Sequence, residues 1–294
     1  MDTEQTRVWR FRGGDFRLGE RTLLMGIVNV TPDSFSDGGE FLDPDSAIRH
    51  ALCLQDEGAD LIDIGAESTR PGSSGVPASI QVERLLPVLR GLRGRLRVPL
   101  SVDTTRGEVA RAALEQGAAV INDVSGFRGD ETLPEMCAAF AAGVVLMHMR
   151  GTPADMQRDT HYEDLLRELR DALQASVVTA DRHGIPRDRV LVDPGLGFGK
   201  TFAQNHRLIA ALGSFRDLAA GVLVGPSRKA FTAEFSGLPG ARRQFGTAAA
   251  LALCVLYGAD VIRVHDVAAM REVTQLIDRH RELVRAQDGP HLPF

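Results

Sequence analysis

The sequence predicts an α/β fold, a single (β/α)8 TIM barrel with a short N-terminal extension. Eight short runs rich in valine, isoleucine and leucine recur along the chain, at 23–30, 60–64, 99–103, 119–122, 143–148, 190–193, 221–225 and 260–264. Segments with helical periodicity separate these runs. Continuous apolar strands that alternate with amphipathic helices are typical of a parallel sheet covered by helices. A chain of 294 residues is long enough for one such barrel, which takes about 250 residues.

A weak internal repeat favours the barrel over an open sheet. Residues 58–63, 117–122 and 258–263 each begin with a glycine that closes a helix, continue as an apolar strand, and end on a polar residue. The segment 143–148 is a looser copy. No Gly-x-Gly-x-x-Gly motif follows the first strand, which argues against a dinucleotide-binding sheet.

The predicted organisation is one catalytic domain with two short flanks. Residues 1–22 form the N-terminal extension, which we expect to be a small hairpin that closes the bottom of the barrel. Residues 23–285 form the (β/α)8 domain, and residues 286–294 form a C-terminal tail.

The composition argues against several classes of protein. The net charge of −5 and the lack of any block of Lys or Arg argue against a nucleic-acid partner. The longest apolar run, residues 248–257, is too short to span a bilayer, and the N-terminal arginines precede no signal-like apolar run. Cys53, Cys137 and Cys254 are isolated in apolar helical patterns, so we expect buried thiols in a reducing, cytoplasmic compartment.

Polar residues at the predicted strand ends divide into an acceptor-rich group and a cationic group. Asp103, Asn122 and Asp193 end three strands, where barrel enzymes hold their catalytic groups. Such a set suits a flat heterocycle with several N–H donors, because buried polar edges must be paired. A single strand-end aspartate can instead cap the following helix. Among the strand-end aspartates, we expect this capping role above all for Asp63, Asp123 and Asp266.

The cationic group suits a phosphate or diphosphate. It consists of Arg70, Arg263 and His265, with Lys229 near, and no Walker-type glycine loop is present. A ligand with a polar ring and a diphosphate satisfies both groups. We expect His148 to be a packed polar residue rather than a ligand.

Two loops have the composition of active-site loops. The first apolar strand runs directly into residues 31–39, a polar, acidic loop with two glycines that we expect to be mobile. The strand that ends at Asp193 continues into the glycine-rich segment 194–200, where glycines let the backbone approach a ligand.

Several long motifs in this order resemble the dihydropteroate synthases of folate biosynthesis, from about Leu24 to about Met270. The family's two longest signatures resemble residues 26–39, GIVNVTPDSFSDGG, and residues 62–72, IDIGAESTRPG. Shorter matches lie at 101–104, 121–124, 146–148, 193–198, 227–229 and 263–266.

The resemblance implies a reaction and a set of roles. A hydroxymethyl-dihydropterin diphosphate condenses with p-aminobenzoate, which gives dihydropteroate and diphosphate, with Mg²⁺ as cofactor. The pterin-binding residues would be Asp103, Asn122, Met147, Asp193, Phe198, Gly225 and Lys229. The diphosphate-binding residues would be Asn29, Arg70, Arg263 and His265, with Asn29 also holding the metal. The p-aminobenzoate-binding residues would be Phe35, Thr69, Pro71, Phe198, Arg228 and Lys229.

The resemblance also implies a dissociative mechanism. Diphosphate leaves first, Asp33 stabilises the resulting cation, and the aryl amine attacks it. The catalytic residues would then be Asp33, Asp103 and Lys229. The family further implies a homodimer and sensitivity to sulfonamides.

The sequence departs from the family pattern at Ala230, where serine is usual, and at Pro226, where a small hydroxyl residue is usual. Two alternatives stay open, a corrinoid-dependent pterin methyltransferase and a non-catalytic pterin-binding paralogue.

Overall fold

The chain folds as a parallel barrel preceded by a hairpin in this computed structural model, which describes residues 7–31, 43–70, 72–73 and 75–288. Strands β1 (Arg7–Phe11) and β2 (Gly14–Leu18) pair antiparallel. The barrel strands are β3 (Leu23–Asn29), β4 (Leu61–Gly65), β5 (Leu100–Asp103), β6 (Val120–Asp123), β7 (Gly143–Met147), β8 (Val190–Asp193), β9 (Gly221–Val224) and β10 (Val261–Val264). The helices are α1 (Pro44–Asp56), α2 (Ala78–Leu92), α3 (Gly107–Glu115), α4 (Leu133–Ala139), α5 (Leu165–Arg182), α6 (Phe202–Ala210), α7 (Gln244–Leu256) and α8 (Val267–Asp288).

The barrel prediction is confirmed. Strands β3 to β10 pair in parallel in chain order, and β10 returns to β3 to close the barrel. Every predicted apolar run lies within one residue of an observed strand at either end. Continuous apolar runs therefore located the strands because both faces of each strand are buried.

Alternation along the strands divides the core into two layers. Leu24 and Ile62 point outward into the large apolar cluster that the helices cover. Leu23 and Leu61 point inward into a smaller cluster near the beginning of the strands. Side chains of a strand alternate between its two faces, so a barrel strand contributes to both layers.

The hairpin packs against the beginning of the barrel strands. Trp9 is fully buried in the inner cluster, and its indole N–H donates to the carbonyl of Arg189 at 3.2 Å. Arg7 forms an ion pair with Asp260 at 2.7 Å, just before β10. Helix α8 continues to Asp288, three residues past the predicted end of the catalytic domain. The division into domains stays a prediction.

One cysteine differs from its prediction. Cys137 and Cys254 are buried, whereas Cys53 is exposed and its thiol donates to Glu57 at 3.3 Å. Cys53 lies on the face of α1 opposite Ala51 and Leu54, which point into the core. Periodicity placed the helix correctly, but a free thiol on its outer face was mistaken for a core residue. Among the described residues, no helix is long and apolar enough to cross a bilayer.

Candidate active site

The inner face of the barrel changes from apolar to polar toward the carboxyl ends of the strands. Along β4, Asp63 follows Leu61 by two residues and therefore shares its inward face. Along β8, Asp193 follows Leu191 in the same way. The same position on other strands is held by Asp103, Asn122, Met147 and Arg263. This is the end of the barrel where catalytic groups lie.

A buried network of hydrogen bonds joins four barrel strands around Asp63. This carboxylate is fully buried and accepts from Arg263 Nε at 2.7 Å, Asn122 Nδ2 at 3.0 Å and Ser101 Oγ at 2.6 Å. The second donor group of Arg263, Nη2, reaches Asp103 at 3.1 Å. Burial alone would lower the pKa of Arg263, but Asp63 and Asp103 outweigh it and raise the pKa. The guanidinium is a fixed charge between two carboxylates.

The expected helix-capping role of Asp63 is wrong. Helix α2 begins behind Pro77 and has no side-chain cap. Asp123 has a structural role, but it caps the turn that follows β6 rather than α4: its carboxylate accepts the backbone N–H groups of Ser125 and Phe127 at 2.7 and 2.5 Å.

The two remaining acceptors are aspartates that burial holds partly protonated near neutrality. Burial raises the pKa of Asp103 to about 7, even though the charge of Arg263 opposes the shift. Burial raises the pKa of Asp193 to about 6, although the N–H of Gly195 at 2.7 Å and the charge of Lys229 oppose it. Burial disfavours the anionic form of each carboxyl, and the N–H groups of a ligand ring would favour that form.

An apolar wall stands beside the acceptors. Met147 and Phe198 belong to one cluster, and Lys229 Nζ lies 3.7 Å from the centre of the Phe198 ring. Burial lowers the pKa of Lys229 to about 7, while Asp193 opposes that shift. Gly225, just after β9, is half-buried next to Arg263. The structure thus brings together all the residues predicted to bind the pterin.

His265 is not cationic, which corrects the expectation for the phosphate-binding group. Burial, followed by the charges of Arg228 and Arg263, lowers the pKa of His265 to about 3, so the ring is neutral at neutral pH. Its Nδ1 lies 2.9 Å from Ser227 Oγ, which also accepts the backbone N–H of His265. A neutral ring can still donate one hydrogen bond to an anion.

Arg228 is held rigidly beside the site. Its backbone has φ of +60°, a left-handed conformation that is strained for a residue other than glycine. Its guanidinium pairs with Asp266 through Nη2 at 2.7 Å, and its backbone N–H donates to Thr247 at 3.0 Å. These contacts fix the segment that leads into Lys229.

The loop after β4 is tied down at both ends. Glu67 accepts the backbone N–H of Val76 at 2.8 Å and the side-chain amide of Gln81 at 3.0 Å. Gly72 donates to the carbonyl of Pro153 at 2.8 Å, which links this loop to the loop after β7. The loop presents Thr69, which is half-buried, and Arg70, which is exposed. The predicted residues Asp33, Phe35 and Pro71 lie outside the described residues.

Asn29 is the predicted metal ligand. It ends β3, is half-buried, and pairs in register with Gly65 of β4. Within residues 7–31, 43–70 and 75–288, no group of three acidic, histidine or cysteine side chains could hold a metal ion. A single amide oxygen still fits Mg²⁺, which keeps most of its water and takes substrate phosphate oxygens as ligands.

Sequence reasoning missed two buried residues of this site, Asp63 as a network centre and Lys200. Lys200 is 3% exposed and lies between the loops after β7 and β8. The inward position of Asp63 could have been read from its spacing to Leu61. No local signal distinguished Lys200. The packed role expected for His148 agrees with its burial and its contact with Lys200 at 3.3 Å.

Comparison with known proteins identifies the family. The family of pterin binding enzymes matches residues 25–265. A dihydropteroate synthase from Synechocystis sp. is 43% identical over 264 residues, which cover 90% of this chain and 91% of the relative. The dihydropteroate synthase of Xanthomonas albilineans, solved with 4-aminobenzoic acid, superposes with a TM-score of 0.87 at 41% identity and covers 94% of this chain and 98% of its own.

A Yersinia pestis dihydropteroate synthase in complex with a sulfonamide drug is also similar. Its TM-score is 0.88 at 37% identity, over 94% of this chain and 99% of that one. Sequence identity well above chance over nearly the full length of both chains accompanies the same barrel and the same motifs at the strand ends. The chain therefore belongs to the dihydropteroate synthase family of pterin-binding enzymes.

Proposed function

We propose that this protein is the transferase that joins 6-hydroxymethyl-7,8-dihydropterin diphosphate to p-aminobenzoate. The products are 7,8-dihydropteroate and diphosphate, as expected for a step of folate biosynthesis. The observation that carries the proposal is the meeting of Asp103, Asn122 and Asp193 at one end of the barrel, beside Arg263 and Lys229.

The pterin ring would lie against the apolar wall with its polar edges on the carboxylates. Asp103 and Asp193 would accept the ring N–H groups, and Asn122 could both donate and accept. The amide of Asn122 already donates to Asp63 at 3.0 Å, which leaves its oxygen for the ligand. Met147 and Phe198 would contact the ring faces.

The diphosphate would extend from the pocket toward Asn29, Arg70 and His265. Bound Mg²⁺, held through Asn29, would neutralise charge on the departing diphosphate. Arg70 is exposed and free of the carboxylates that occupy Arg263, so it would act as the mobile cation. His265 would donate one hydrogen bond as a neutral ring. Fixed donors stabilise a leaving group whose charge grows as its bond breaks.

The chemistry we propose is dissociative. The bond between the pterin methylene carbon and the diphosphate oxygen breaks, and the electron pair leaves with diphosphate. The amine nitrogen of p-aminobenzoate then forms a bond to that carbon and loses a proton. The first loop, with Asp33 and Phe35, would close over the cation and keep water out. Asp33→Ala should lower kcat far more than it raises the KM for the pterin substrate.

p-Aminobenzoate would lie between the Phe198 and Lys229 pair and the loop after β4. Thr69 and Pro71 would contact it from that loop, and Arg228 would fix the opposite wall through Asp266. Because the Yersinia pestis relative is solved with a sulfonamide, we propose that sulfonamides compete here as well. Ala230 offers no hydroxyl to a carboxylate, so binding of p-aminobenzoate should depend more on Lys229.

One assay distinguishes the three functions. Purified protein is mixed with Mg²⁺, the pterin diphosphate and p-aminobenzoate, and diphosphate release is measured. A synthase releases diphosphate in step with dihydropteroate, whereas a corrinoid-dependent methyltransferase or a non-catalytic binder releases none above background. Asp103→Ala is the inactive control. Release that persists in this variant would contradict the assigned pterin pocket.

The assembly and location belong to the same proposal. Phe245 and Leu253 of α7 and Leu276 and Leu283 of α8 are exposed apolar side chains on adjacent helices, which supports a homodimer. Sedimentation at several concentrations tests it. Three free cysteines support a reducing, cytoplasmic compartment.

A further inference from the structure

The chain contains 34 cationic side chains, of which only Lys200 and Lys229 are lysines. Both lysines lie at the carboxyl end of the barrel, and every other cationic residue of the chain is an arginine. A lysine ammonium is a compact group with three donors, whereas a guanidinium is a planar fork. Lys229 already has a place in the substrate pocket. Lys200 is nearly fully buried, and the reaction as described gives it no part.

The ammonium of Lys200 joins two loops. Nζ lies 3.0 Å from the carbonyl of Gly195 and 2.9 Å from that of Phe198, both in the loop after β8. Its third contact is Nδ1 of His148, after β7, at 3.3 Å. Burial lowers the pKa of His148 to about 2, so the ring is neutral and Nδ1 can accept. Burial lowers the pKa of Lys200 to about 7, and Asp193 opposes that shift. In its protonated form the group has three N–H donors for these three acceptors, which leaves none for a substrate.

The segment that Lys200 holds, residues 195–198, bears directly on the pocket. The N–H of Gly195 donates to Asp193 Oδ1 at 2.7 Å, which orients that carboxylate. The ring of Phe198 faces Lys229 Nζ at 3.7 Å. Gly195 has φ of +75°, and a Cβ there would lie 2.0 Å from the carbonyl of His148. The segment therefore packs directly against the end of β7, and the hydrogen bond from Lys200 to His148 joins the two.

We propose that Lys200 is a positioning residue of the synthase reaction, which fixes residues 195–198 against the end of β7 and so sets the Asp193 carboxylate and the Phe198 ring. This inference rests on the proposed function of the pocket. Its effect passes through backbone carbonyls, and Lys200 itself touches neither substrate.

Two variants of Lys200 distinguish the effect of its charge from the effect of its hydrogen bonds. Lys200→Met keeps the chain length and removes all three donors, while Lys200→Gln keeps an amide donor without charge. Tyr162→Phe is the matched control, because it removes one hydrogen bond, 3.1 Å, to Gly199 in the same loop. We expect Lys200→Met to lower kcat/KM for the pterin diphosphate by about 100-fold, mainly through KM, as for a misplaced binding group. Tyr162→Phe should keep wild-type kinetics.

The pH profile gives a readout that a purely structural role would not move. The charges of Lys229, Lys200 and Arg263 all favour the ionised form of Asp193. Lys200 in turn faces Asp193, Lys229 and Arg150 as well as His148. Because loss of a nearby cation raises the pKa of a carboxyl group, the acid limb of kcat/KM should move to higher pH in both Lys200 variants. It should stay in place in Tyr162→Phe.

A second measurement uses the wild-type protein and so does not depend on the variants folding. With lysine labelled by ¹³C at Cε, the two lysines give two signals, and Lys229→Met assigns them. Saturation with pteroic acid should shift the Lys200 signal, although its ammonium contacts only protein. An unmoved Lys200 signal would overturn the proposal. The proposal would also be overturned if Lys200→Met kept the wild-type KM and pH profile. If the wild-type protein releases diphosphate in the same assay, that result leaves the synthase function intact.

Discussion

Nε of Arg263 lies 2.7 Å from Oδ2 of Asp63, although 200 residues separate the two along the chain. Asp63 is the middle residue of β4 and Arg263 lies in β10, with β3 between these two strands in the barrel. The pair turns the guanidinium toward the acceptor-rich side of the pocket. An arginine expected to bind diphosphate is thereby also part of the frame that positions Asp103 and Asn122.

This relationship predicts the effect of Asp63→Asn. The amide carries no charge and has one acceptor oxygen where the carboxylate has two, so the buried guanidinium of Arg263 loses its ion pair with this residue. We expect kcat/KM to fall by about 100-fold through misplacement of the pterin ligands. Breaking the buried pair should also cost about 3–5 kcal/mol of unfolding free energy. Steady-state kinetics and denaturant unfolding measure the two effects.

Asp260→Asn is the matched control for that experiment. Asp260 is equally buried and pairs with Arg7 at 2.7 Å and Arg216 at 3.3 Å, but at the opposite end of the barrel. It should lose comparable stability and keep the wild-type KM values. Equal kinetic losses in the two variants would mean that Asp63 acts only through the stability of the fold.

Ligand binding should release protons through Asp103. Its pKa of about 7 leaves the carboxyl about half protonated at pH 7. N–H donors of a pterin ring favour the anion and lower that pKa, so the complex holds fewer protons than the free protein. Calorimetry with pteroic acid in two buffers of different ionisation enthalpy measures the release. It should shrink in Asp103→Asn, and net uptake of protons by the wild-type protein would contradict the prediction.

We expect Ser227 to support diphosphate binding indirectly, by orienting the ring of His265. Its hydroxyl contacts Nδ1 at 2.9 Å and so sets which ring nitrogen faces the ligand. Loss of one such hydrogen bond is worth about 1 kcal/mol, so Ser227→Ala should raise the KM for the pterin diphosphate roughly fivefold. Affinity for pteroic acid, which has no diphosphate, provides the control. If Ser227→Ala weakened the binding of pteroic acid as much as that of the pterin diphosphate, Ser227 would belong to the pterin pocket instead.

Asp193→Asn should be more stable than the wild-type protein above pH 6. The folded pKa of Asp193 is about 6, above its ordinary value of 3.8, because burial disfavours the charge. The native state therefore binds more protons than the unfolded state between these values, and wild-type stability falls as pH rises through that window. The difference in melting temperature should grow from pH 4 to pH 6 and then level off. A constant difference would show that burial of the charge is not its origin.

Much of the site could be predicted because strand formation and side-chain alternation along a strand depend on contiguous residues. Continuous apolar runs predicted the strands to within one residue, and the alternation of side chains along a strand contains the inward face as well. The strand ends alone predict that Asp103, Asn122 and Asp193 lie at one end of the barrel. The role of Asp63, the neutral state of His265 and the exposure of Cys53 depend on what surrounds each side chain, and neighbours in space do not follow from neighbours in sequence.

The sequence by itself determined the barrel, the family and the set of residues at its mouth, because strand periodicity and long motifs are properties of contiguous residues. The tertiary structure decided how those residues are paired and charged. Closure of the barrel brings Arg263 to Asp63 and buries the neutral ring of His265 near the cations Arg228 and Arg263. It also places the ammonium of Lys200 between two loops. Charge states and hydrogen-bond partners depend on burial and distance, and both exist only once the chain has folded.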